Sequence, residues 1–244
     1  MKFLVLKHVA VEGLGVFEQF CDEAGITIHT VEIEKGDTFP ELDGYAALWV
    51  MGGPMNVGDE AEFPWLVEEK ALIRKAVQER QLPYMGICLG AQLLADALGG
   101  TVQSMASPEV GLLPVSLTEA GRNHPLTAGL PQIFKVLQWH GQEVKQLPAG
   151  AILLSSSNHC QVQAYAVGDY AFGLQFHSEV IDKTVEDWVQ IPVYKSDLEA
   201  TLGSTGCDDL KQAVSKQLPI MNRDAQIVFE NFLKIVKSRH CQQR

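Results

Sequence analysis

The sequence has no apolar stretch long enough to cross a membrane. A membrane-spanning helix needs roughly 18 uninterrupted apolar residues, whereas even the uncharged run at 83–95 already ends at Asp96. The short apolar segment 3–6, between Lys2 and Lys7, is too brief for the core of a signal peptide. We therefore expect no membrane contact and a cytoplasmic location.

Basic residues are few compared with acidic ones. The chain has 19 Lys and Arg against 30 Asp and Glu, which gives a formal net charge of −11. A field of this sign repels phosphate backbones, so we expect no nucleic-acid partner. The composition is nevertheless that of a folded protein, because 46% of the residues are hydrophobic and only 20% are charged.

Cysteine is also scarce, and its distribution excludes two kinds of site. The five cysteines are scattered and none belongs to a Cys-x-x-Cys pair, which argues against a disulfide framework and against a zinc site. Cys160 follows His159, but two ligands are too few to bind a metal, so we interpret Cys160 as structural. We expect neither a metal nor a cofactor.

Short apolar segments alternate with helical periodicity along the first hundred residues. The predicted strands are 2–6, 26–33, 45–51 and 82–87, and the predicted helices are 13–24, 65–80 and 90–98. The almost wholly apolar run at 82–87 is typical of a parallel strand that helices cover on both faces. The pattern indicates an α/β protein with a largely parallel central sheet flanked by helices.

Beyond residue 100 the pattern changes, first to more closely spaced strands and then to helices alone. The predicted strands are 110–117, 134–139, 152–156, 161–166 and 171–176, and the predicted helices are 184–189, 196–202, 208–216 and 222–237. We find no repeat and no low-complexity linker. We therefore predict one domain over residues 1–244, with a catalytic core of about 1–181 and a helical C-terminal cap of about 182–244.

The segment from Gly86 to Gly90 carries the main chemical signal, since its Gly-Ile-Cys-Leu-Gly sequence stands where a strand runs directly into a helix. In such a nucleophile elbow a tight turn exposes the central side chain, and glycines avoid backbone collisions. The helix N-terminus favours the Cys88 thiolate, and the Leu89 N–H is placed to bind an oxyanion. A cysteine taken at random is more often a buried apolar residue, but the flanking glycines and the strand-to-helix junction reverse that expectation, so we predict that Cys88 is a nucleophile.

Among the seven histidines, His177 is the best candidate for the acid and base that a thiolate needs. It ends the apolar segment 171–176 and precedes Glu179 by two residues, so both side chains point the same way on an extended chain. Glu179 can then fix the ring tautomer and stabilise the imidazolium. Alone, a His-x-Glu pattern carries little information, but together with Cys88 it predicts a Cys-His-Glu triad.

A third segment, Gly52-Gly53-Pro54, follows the apolar strand at 45–51. Taken alone it could be an ordinary turn. In an open α/β sheet, however, active groups gather beyond the carboxyl ends of the strands, which places this loop beside the elbow. We predict that the Gly53 N–H is the second oxyanion donor.

These three segments, in this order and spacing, resemble the class I (triad) glutamine amidotransferases. More narrowly, the chain is similar to stand-alone members that resemble the glutaminase domain of GMP synthase. The resemblance extends over about residues 1–179, and the helical tail also fits the stand-alone members. Two positions depart from the usual pattern: Ser178 replaces a proline, and Asn56 replaces a serine in the glycine loop.

The resemblance implies a flavodoxin-like fold and a triad of Cys88, His177 and Glu179. It also implies a set of residues that help to hold the substrate, which are Gly52, Gln92, His140, Gly141 and Gln142. For His140 a second interpretation stays open, in which the ring only satisfies a hydrogen bond within its loop.

The activity that the resemblance implies is hydrolysis of the glutamine side-chain amide to glutamate and ammonia, through a γ-glutamyl thioester on Cys88. The sequence contains no Gly-x-x-x-x-Gly-Lys-Ser/Thr loop, so a synthetase that accepts the ammonia would be a separate subunit. Two alternatives stay open. The same triad could hydrolyse glutathione-like γ-glutamyl peptides, or the chain could be a non-catalytic glutamine-binding or scaffold protein.

Overall fold

The computed structural model describes residues 1–242, which form one sheet with helices on both faces. In chain order the elements are β1 (Lys2–Lys7), α1 (Val16–Glu23), β2 (Thr27–Glu32), β3 (Ala47–Val50), α2 (Trp65–Arg74), β4 (Tyr84–Ile87), α3 (Leu89–Ala97), β5 (Thr101–Leu117), α4 (Glu119–Arg122), β6 (Ile133–Gln146), β7 (Ile152–Ser156), β8 (Ala164–Val167), β9 (Ala171–Leu174), α5 (Thr184–Trp188), α6 (Pro192–Leu202) and α7 (Gly206–Gln242). A π-helical turn, Lys75–Glu79, extends α2.

The strand order within residues 1–242 is β2-β1-β3-β4-β9-β8-β7-β5-β6. The strands from β2 to β9 pair in parallel, and those from β9 to β6 pair antiparallel. The predicted α/β class is therefore confirmed, with the parallel half of the sheet followed by an antiparallel half. Since β5 and β6 form a long hairpin, both are longer than the predicted strands 110–117 and 134–139.

Strand β1 shows why the sequence of the parallel half is so uniformly apolar. Phe3 and Val5 face the core under α1 and α7, whereas Leu4 and Leu6 face the core under α2 and α3. All four side chains are at most 2% exposed. Both faces of the strand are covered along residues 3–6, so polar residues are confined to its two ends, Lys2 and Lys7.

The C-terminal helices differ from the sequence-based expectation. The predicted helices 208–216 and 222–237 are parts of one helix, α7, which runs through Pro219. Proline removes a backbone hydrogen bond and usually kinks or ends a helix. Here Val214 and Met221, on either side of Pro219, are both buried in the same apolar cluster, and this packing holds the two halves together.

The carboxyl ends of the parallel strands meet at one edge of the sheet. His8 follows β1, Gly52 follows β3, Cys88 follows β4, and His177 follows β9. Groups far apart in the chain are thereby brought to one place, where ligands bind in open α/β sheets. Along residues 1–242, no helix combines the length and the apolarity that a membrane crossing requires.

Candidate active site

Cys88 lies in a sharp turn between β4 and α3. Its backbone has φ +50° and ψ −105°, a conformation that residues with a Cβ rarely adopt. A Cβ on Gly86 would lie 2.4 Å from the Gly90 carbonyl oxygen, and one on Gly90 would lie 2.1 Å from the Val50 carbonyl oxygen. Only glycine fits at these two positions, so the expected strand-to-helix elbow is confirmed.

Cys88 lines a cleft, although only 4% of the residue is exposed. The cleft encloses about 520 Å³, including space open to solvent. Its walls come from the loop after β3, the elbow, residues 139–142 of β6, and α6. The Gln175 side-chain amide donates to the Cys88 sulfur at 3.7 Å, and the Trp139 carbonyl oxygen lies 3.9 Å from the same sulfur.

His177 is held from three sides beside this cleft. Its Nδ1 donates to Glu179 Oε1 at 2.6 Å, and its backbone N–H donates to the Leu137 carbonyl at 2.9 Å. The ring also packs edge-to-face against Trp188, with centroids 4.4 Å apart. Burial lowers the pKa of His177, but Glu179 and Cys88 outweigh burial and raise the pKa well above 6.5. The ring is therefore positioned between a carboxylate and the thiol as an imidazolium.

The two predicted oxyanion donors come from two segments, the elbow itself and the glycine loop after β3. Leu89 is the first residue of α3, so its N–H has no acceptor within the helix. Gly53 lines the cleft together with Cys88, and its N–H has no hydrogen-bond acceptor among residues 1–242. The role of both N–H groups as oxyanion donors stays a prediction.

The residues predicted to hold the substrate fall into two groups. Gln92, His140, Gly141 and Gln142 line the cleft, and Gln92 Nε2 donates to the Gln142 carbonyl at 3.1 Å. Gly52 is outside the cleft lining described for residues 1–242. A Cβ at Gly52 would meet a Glu12 oxygen at 2.1 Å and the His177 ring at 3.2 Å, so this glycine makes room for those two side chains.

His140 belongs to a second cluster that also contains a cysteine and a glutamate. Its Nδ1 donates to the Gln142 carbonyl at 2.8 Å, and its Nε2 lies 3.0 Å from Glu109 Oε2. Potential metal ligands on His140, Glu109 and Cys160 lie within 4.8 Å of one another, and all three residues are buried. The hydrogen bonds of His140 agree with the loop-bonding interpretation, while its place in the cleft wall leaves the substrate role open.

The groups of this second cluster already satisfy one another, and its thiol is poorly suited to attack a substrate. Burial raises the pKa of the Cys160 thiol to about 12, and the thiol donates to the Val162 carbonyl at 3.4 Å. Nucleophilic attack needs the thiolate. Gln163 already donates to Glu109 at 3.0 Å, so the cluster has the properties of a buried hydrogen-bond network.

Helix α6 supplies residues that the sequence analysis missed. Val193, Tyr194 and Asp197 line the cleft, and the Tyr194 hydroxyl donates to the buried carboxylate of Glu12. Burial raises the pKa of Asp197, and its carboxylate has no hydrogen-bond or ion-pair partner among residues 1–242. No local motif marks these contacts, since Glu12 and Tyr194 are 182 positions apart.

Comparison with protein families and curated proteins gives consistent matches. The family model described as glutamine amidotransferase class-I matches residues 18–188. The glutamine amidotransferase-like protein YfeJ of Salmonella typhimurium is 32% identical over 194 residues, covering 78% of this chain and 80% of that protein. One of the subunits of the glutamine-hydrolysing GMP synthase of Sulfolobus acidocaldarius is 32% identical over 154 residues, covering 63% and 77%.

Solved structures match over almost the whole chain. A glutamine amidotransferase from Thermotoga maritima has a TM-score of 0.84 at 27% identity and covers 97% of this chain and 98% of its own. A glutamine amidotransferase from Methylobacillus flagellatus has a TM-score of 0.81 at 29% identity, with coverage of 96% and 94%.

Proposed function

The chain belongs to the class I glutamine amidotransferases, and on this premise we propose that its cleft hydrolyses the side-chain amide of glutamine with Cys88 as the nucleophile. The observation that carries the proposal is the 2.6 Å hydrogen bond from His177 to Glu179 beside the strained Cys88 elbow. Nucleophile, acid–base group and orienting carboxylate are the three parts that such a reaction needs.

In the first half of the reaction, the Cys88 thiolate forms a bond to the side-chain amide carbon of glutamine. The carbonyl oxygen becomes an oxyanion, which the N–H groups of Leu89 and Gly53 stabilise. The His177 imidazolium gives its proton to the amide nitrogen, the carbon–nitrogen bond breaks, and ammonia leaves. The product is a γ-glutamyl thioester on Cys88.

In the second half, His177 is neutral and acts as a base. It takes a proton from water while the water oxygen bonds to the thioester carbon, and the same two N–H groups stabilise the second oxyanion. The carbon–sulfur bond then breaks and glutamate leaves. Glu179 holds the ring in one tautomer through both halves and favours the imidazolium of the resting ion pair.

Substrate selection requires groups that bind the α-amino and α-carboxylate ends of glutamine. We assign the α-amino group to Asp197, because this carboxylate lines the cleft and has no protein partner among residues 1–242. An ammonium group would restore the charge-assisted hydrogen bonding that the carboxylate lacks there. Gln92 and residues 140–142 form the wall on the side of the elbow.

The released ammonia requires an acceptor, and we propose that a separate synthetase protein takes this role. The support is that several relatives are single subunits of glutamine-hydrolysing GMP synthases. The test is the rate of ammonia production by the isolated chain, measured with and without a candidate acceptor protein. We expect the acceptor to increase this rate.

Paired cysteine substitutions test the assignment of the nucleophile. We expect Cys88→Ala to lower kcat for ammonia release from glutamine by at least about 10⁴-fold. Cys160→Ala, the matched control from the second cluster, should keep kcat within about threefold, because its thiol is buried and protonated. The proposal would be refuted if Cys88→Ala kept wild-type activity, or if only Cys160→Ala lost activity.

The same proteins separate the remaining alternatives. A glutamine-derived electrophile should add one label to the wild type and to Cys160→Ala but not to Cys88→Ala, as measured by intact mass. A higher kcat/KM for γ-glutamyl peptides than for glutamine would indicate a γ-glutamyl peptide hydrolase instead. If the wild type turns over neither glutamine nor γ-glutamyl peptides and the electrophile does not label it, the chain is a scaffold.

A further inference from the structure

A buried ion pair lies directly behind the glycine loop. His8, which follows β1, and Glu69, on α2, are both completely buried. His8 Nδ1 lies 2.8 Å from the Gly52 carbonyl oxygen, and His8 Nε2 lies 3.0 and 3.2 Å from the two Glu69 oxygens. The ring also stacks on Trp65, with centroids 5.5 Å apart and planes 27° apart. Its position is therefore fixed in every direction.

The contacts restrict the protonation of His8. A carbonyl oxygen can only accept, so Nδ1 must carry a hydrogen and donate to Gly52. An ionised Glu69 carboxylate also only accepts, so beside it Nε2 donates and the ring is an imidazolium. Burial lowers the pKa of His8, but attraction and hydrogen bonding to Glu69 outweigh it and raise the pKa above 6.5.

The Gly52 carbonyl and the Gly53 N–H belong to the same peptide unit. In a planar trans peptide the C=O and N–H bonds point in opposite directions. Fixing the carbonyl against His8 therefore turns the Gly53 N–H away from His8. Gly53 lines the cleft with Cys88, whereas His8 lies outside its lining, so this direction is toward the cleft.

Two successive glycines give this peptide unit unusual rotational freedom, because neither residue has a Cβ to restrict φ and ψ. The space on one side of Gly53 is filled, since a Cβ there would lie 3.0 Å from His8 Cβ and 3.0 Å from Leu89 Cδ2. The orientation of the peptide plane itself is set by the hydrogen bond from His8. The positive charge on the ring also polarises the peptide and makes its N–H a better donor.

We propose that His8 and Glu69 are positioning residues for the oxyanion hole: they hold the Gly52–Gly53 peptide so that the Gly53 N–H points at the reacting oxygen. The inference rests on the proposed function of Cys88. Neither side chain touches the substrate, and both act through the one peptide unit between them and the cleft.

Amide side chains allow the two hydrogen bonds of His8 to be tested separately. Glu69→Gln keeps both bonds and leaves a neutral His8, with Nε2 accepting from the new amide. Added to this background, His8→Asn places an amide N–H at the position of Nδ1 and keeps the donor to Gly52. His8→Gln places its amide at the position of Nε2 and loses the donor to Gly52.

We expect the His8→Gln, Glu69→Gln variant to lose about 10²-fold in kcat for ammonia release relative to Glu69→Gln, with KM changed by less than about threefold. His8→Asn in the same background should recover at least about tenfold of that loss. Alkylation of Cys88 by iodoacetamide forms no oxyanion, so its rate should be equal in all three proteins. His29→Gln, at a histidine on edge strand β2, serves as the control with wild-type kcat.

Two results would overturn the inference. One is an equal kcat in the His8→Asn and His8→Gln variants. The other is a loss of kcat matched by an equal loss of the alkylation rate of Cys88, because that result indicates a general structural defect. If the double variants do not fold, Glu69→Gln alone still decides the matter, because removal of the charge should lower kcat several-fold while KM stays constant. Cys88→Ala is measured in the same assay. If this variant retains ammonia release, the proposed function of Cys88 is wrong, whatever the His8 variants show.

Discussion

The ring of His177 lies among three groups that can carry negative charge: the Glu179 carboxylate, the Cys88 thiol and the Glu12 carboxylate. One imidazolium cannot neutralise three buried anions. Burial raises the pKa of Glu12, although the nearby positive charge of His177 opposes the rise. Tyr194 donates to one Glu12 oxygen, and the other has no partner among residues 1–242. Protonation of Glu12 therefore relieves the excess negative charge around the ring.

Substitution of Glu179 by Gln should change the pH profile of ammonia release. Burial lowers the pKa of His177 and Glu179 helps to raise it, so removal of the Glu179 charge lowers that pKa. His177 then loses its proton at lower pH, and the basic limb of kcat/KM moves to lower pH, with kcat reduced by about 10²-fold or more. A pH series of initial rates measures both effects.

The control is Glu186→Gln, which removes the same charge from an exposed position on α5. It should keep the wild-type profile. A basic limb that stays in place in Glu179→Gln, or moves to higher pH, would contradict the assigned role of Glu179.

Side chains close together in sequence could be predicted, and those that meet only in the fold could not. The His177–Glu179 pair follows from a spacing of two on an extended chain, and the Cys88 elbow follows from glycines at a strand–helix junction. His8 and Glu69 are 61 positions apart and belong to no local pattern. Their pairing depends on how α2 packs against the end of β1.

Helix α6 forms part of the wall of the cleft that Cys88 also lines. Val193 and Asp197 are four residues apart, so they lie on the same face of the helix, and both line the cleft. Tyr194 anchors this helix, since its carbonyl accepts from the Trp139 indole at 3.3 Å and its hydroxyl donates to Glu12. The C-terminal region thus contributes to the site as well as to the core.

Asp197→Asn tests the assignment of the substrate ammonium group to this helix. Loss of a charge-assisted hydrogen bond should raise KM for glutamine by about 10- to 100-fold with a small change in kcat. A substrate analogue without the amino group should show no difference between wild type and variant. Steady-state kinetics with both compounds makes the comparison.

Glu199→Gln is the matched control, because Glu199 is an exposed acid on the same helix. It should leave both KM values unchanged. An equal rise in KM for glutamine and for the analogue in Asp197→Asn would mean that the residue shapes the cleft without binding the amine.

The start of α6 shows a limit of pattern-based prediction. The pattern of the sequence predicts a helix from residue 196, whereas α6 begins at Pro192. Proline is favoured in the first turn of a helix, where its missing N–H has no consequence, but a proline between short elements equally suggests a loop. Since α6 is set by tertiary contacts of Tyr194 with Trp139 and Trp188, its start was not visible in the local pattern.

The two ends of the described chain pack against each other in one core. Phe232 of α7 is fully buried and meets Phe3 of β1, Trp49 of β3 and Phe172 of β9, with ring centroids 5.4–6.3 Å apart. The arrangement joins the C-terminal helix to three strands of the parallel half. We therefore predict that the α/β core and the helical cap unfold as one unit.

Phe232→Ala tests this prediction. Removal of the ring should lower the free energy of unfolding by about 3–5 kcal/mol, because a cavity remains where the four rings meet. Far-ultraviolet circular dichroism and tryptophan fluorescence should still report one coincident transition in denaturant. Ile220→Ala, which truncates an exposed apolar residue of the same helix, should change stability by less than about 0.5 kcal/mol.

Two separate transitions, or a change in only one probe, would mean that the cap and the core are independent. The single predicted domain over residues 1–244 would then be wrong. The sequence showed no linker between the two regions, but it carried no information on where α7 packs. The contact of Phe232 with Phe3 joins residues 229 positions apart, and only the packed core determines it.

The backbone at Cys88 also bears on how this chain can evolve. A residue with a Cβ at φ +50° adds strain of about 1–3 kcal/mol, which glycine would avoid. If Cys88 is the nucleophile proposed above, replacement by glycine would thus give a more stable protein that has lost its activity. Selection for thermal resistance alone would then favour glycine at this position, whereas selection for ammonia release would oppose it.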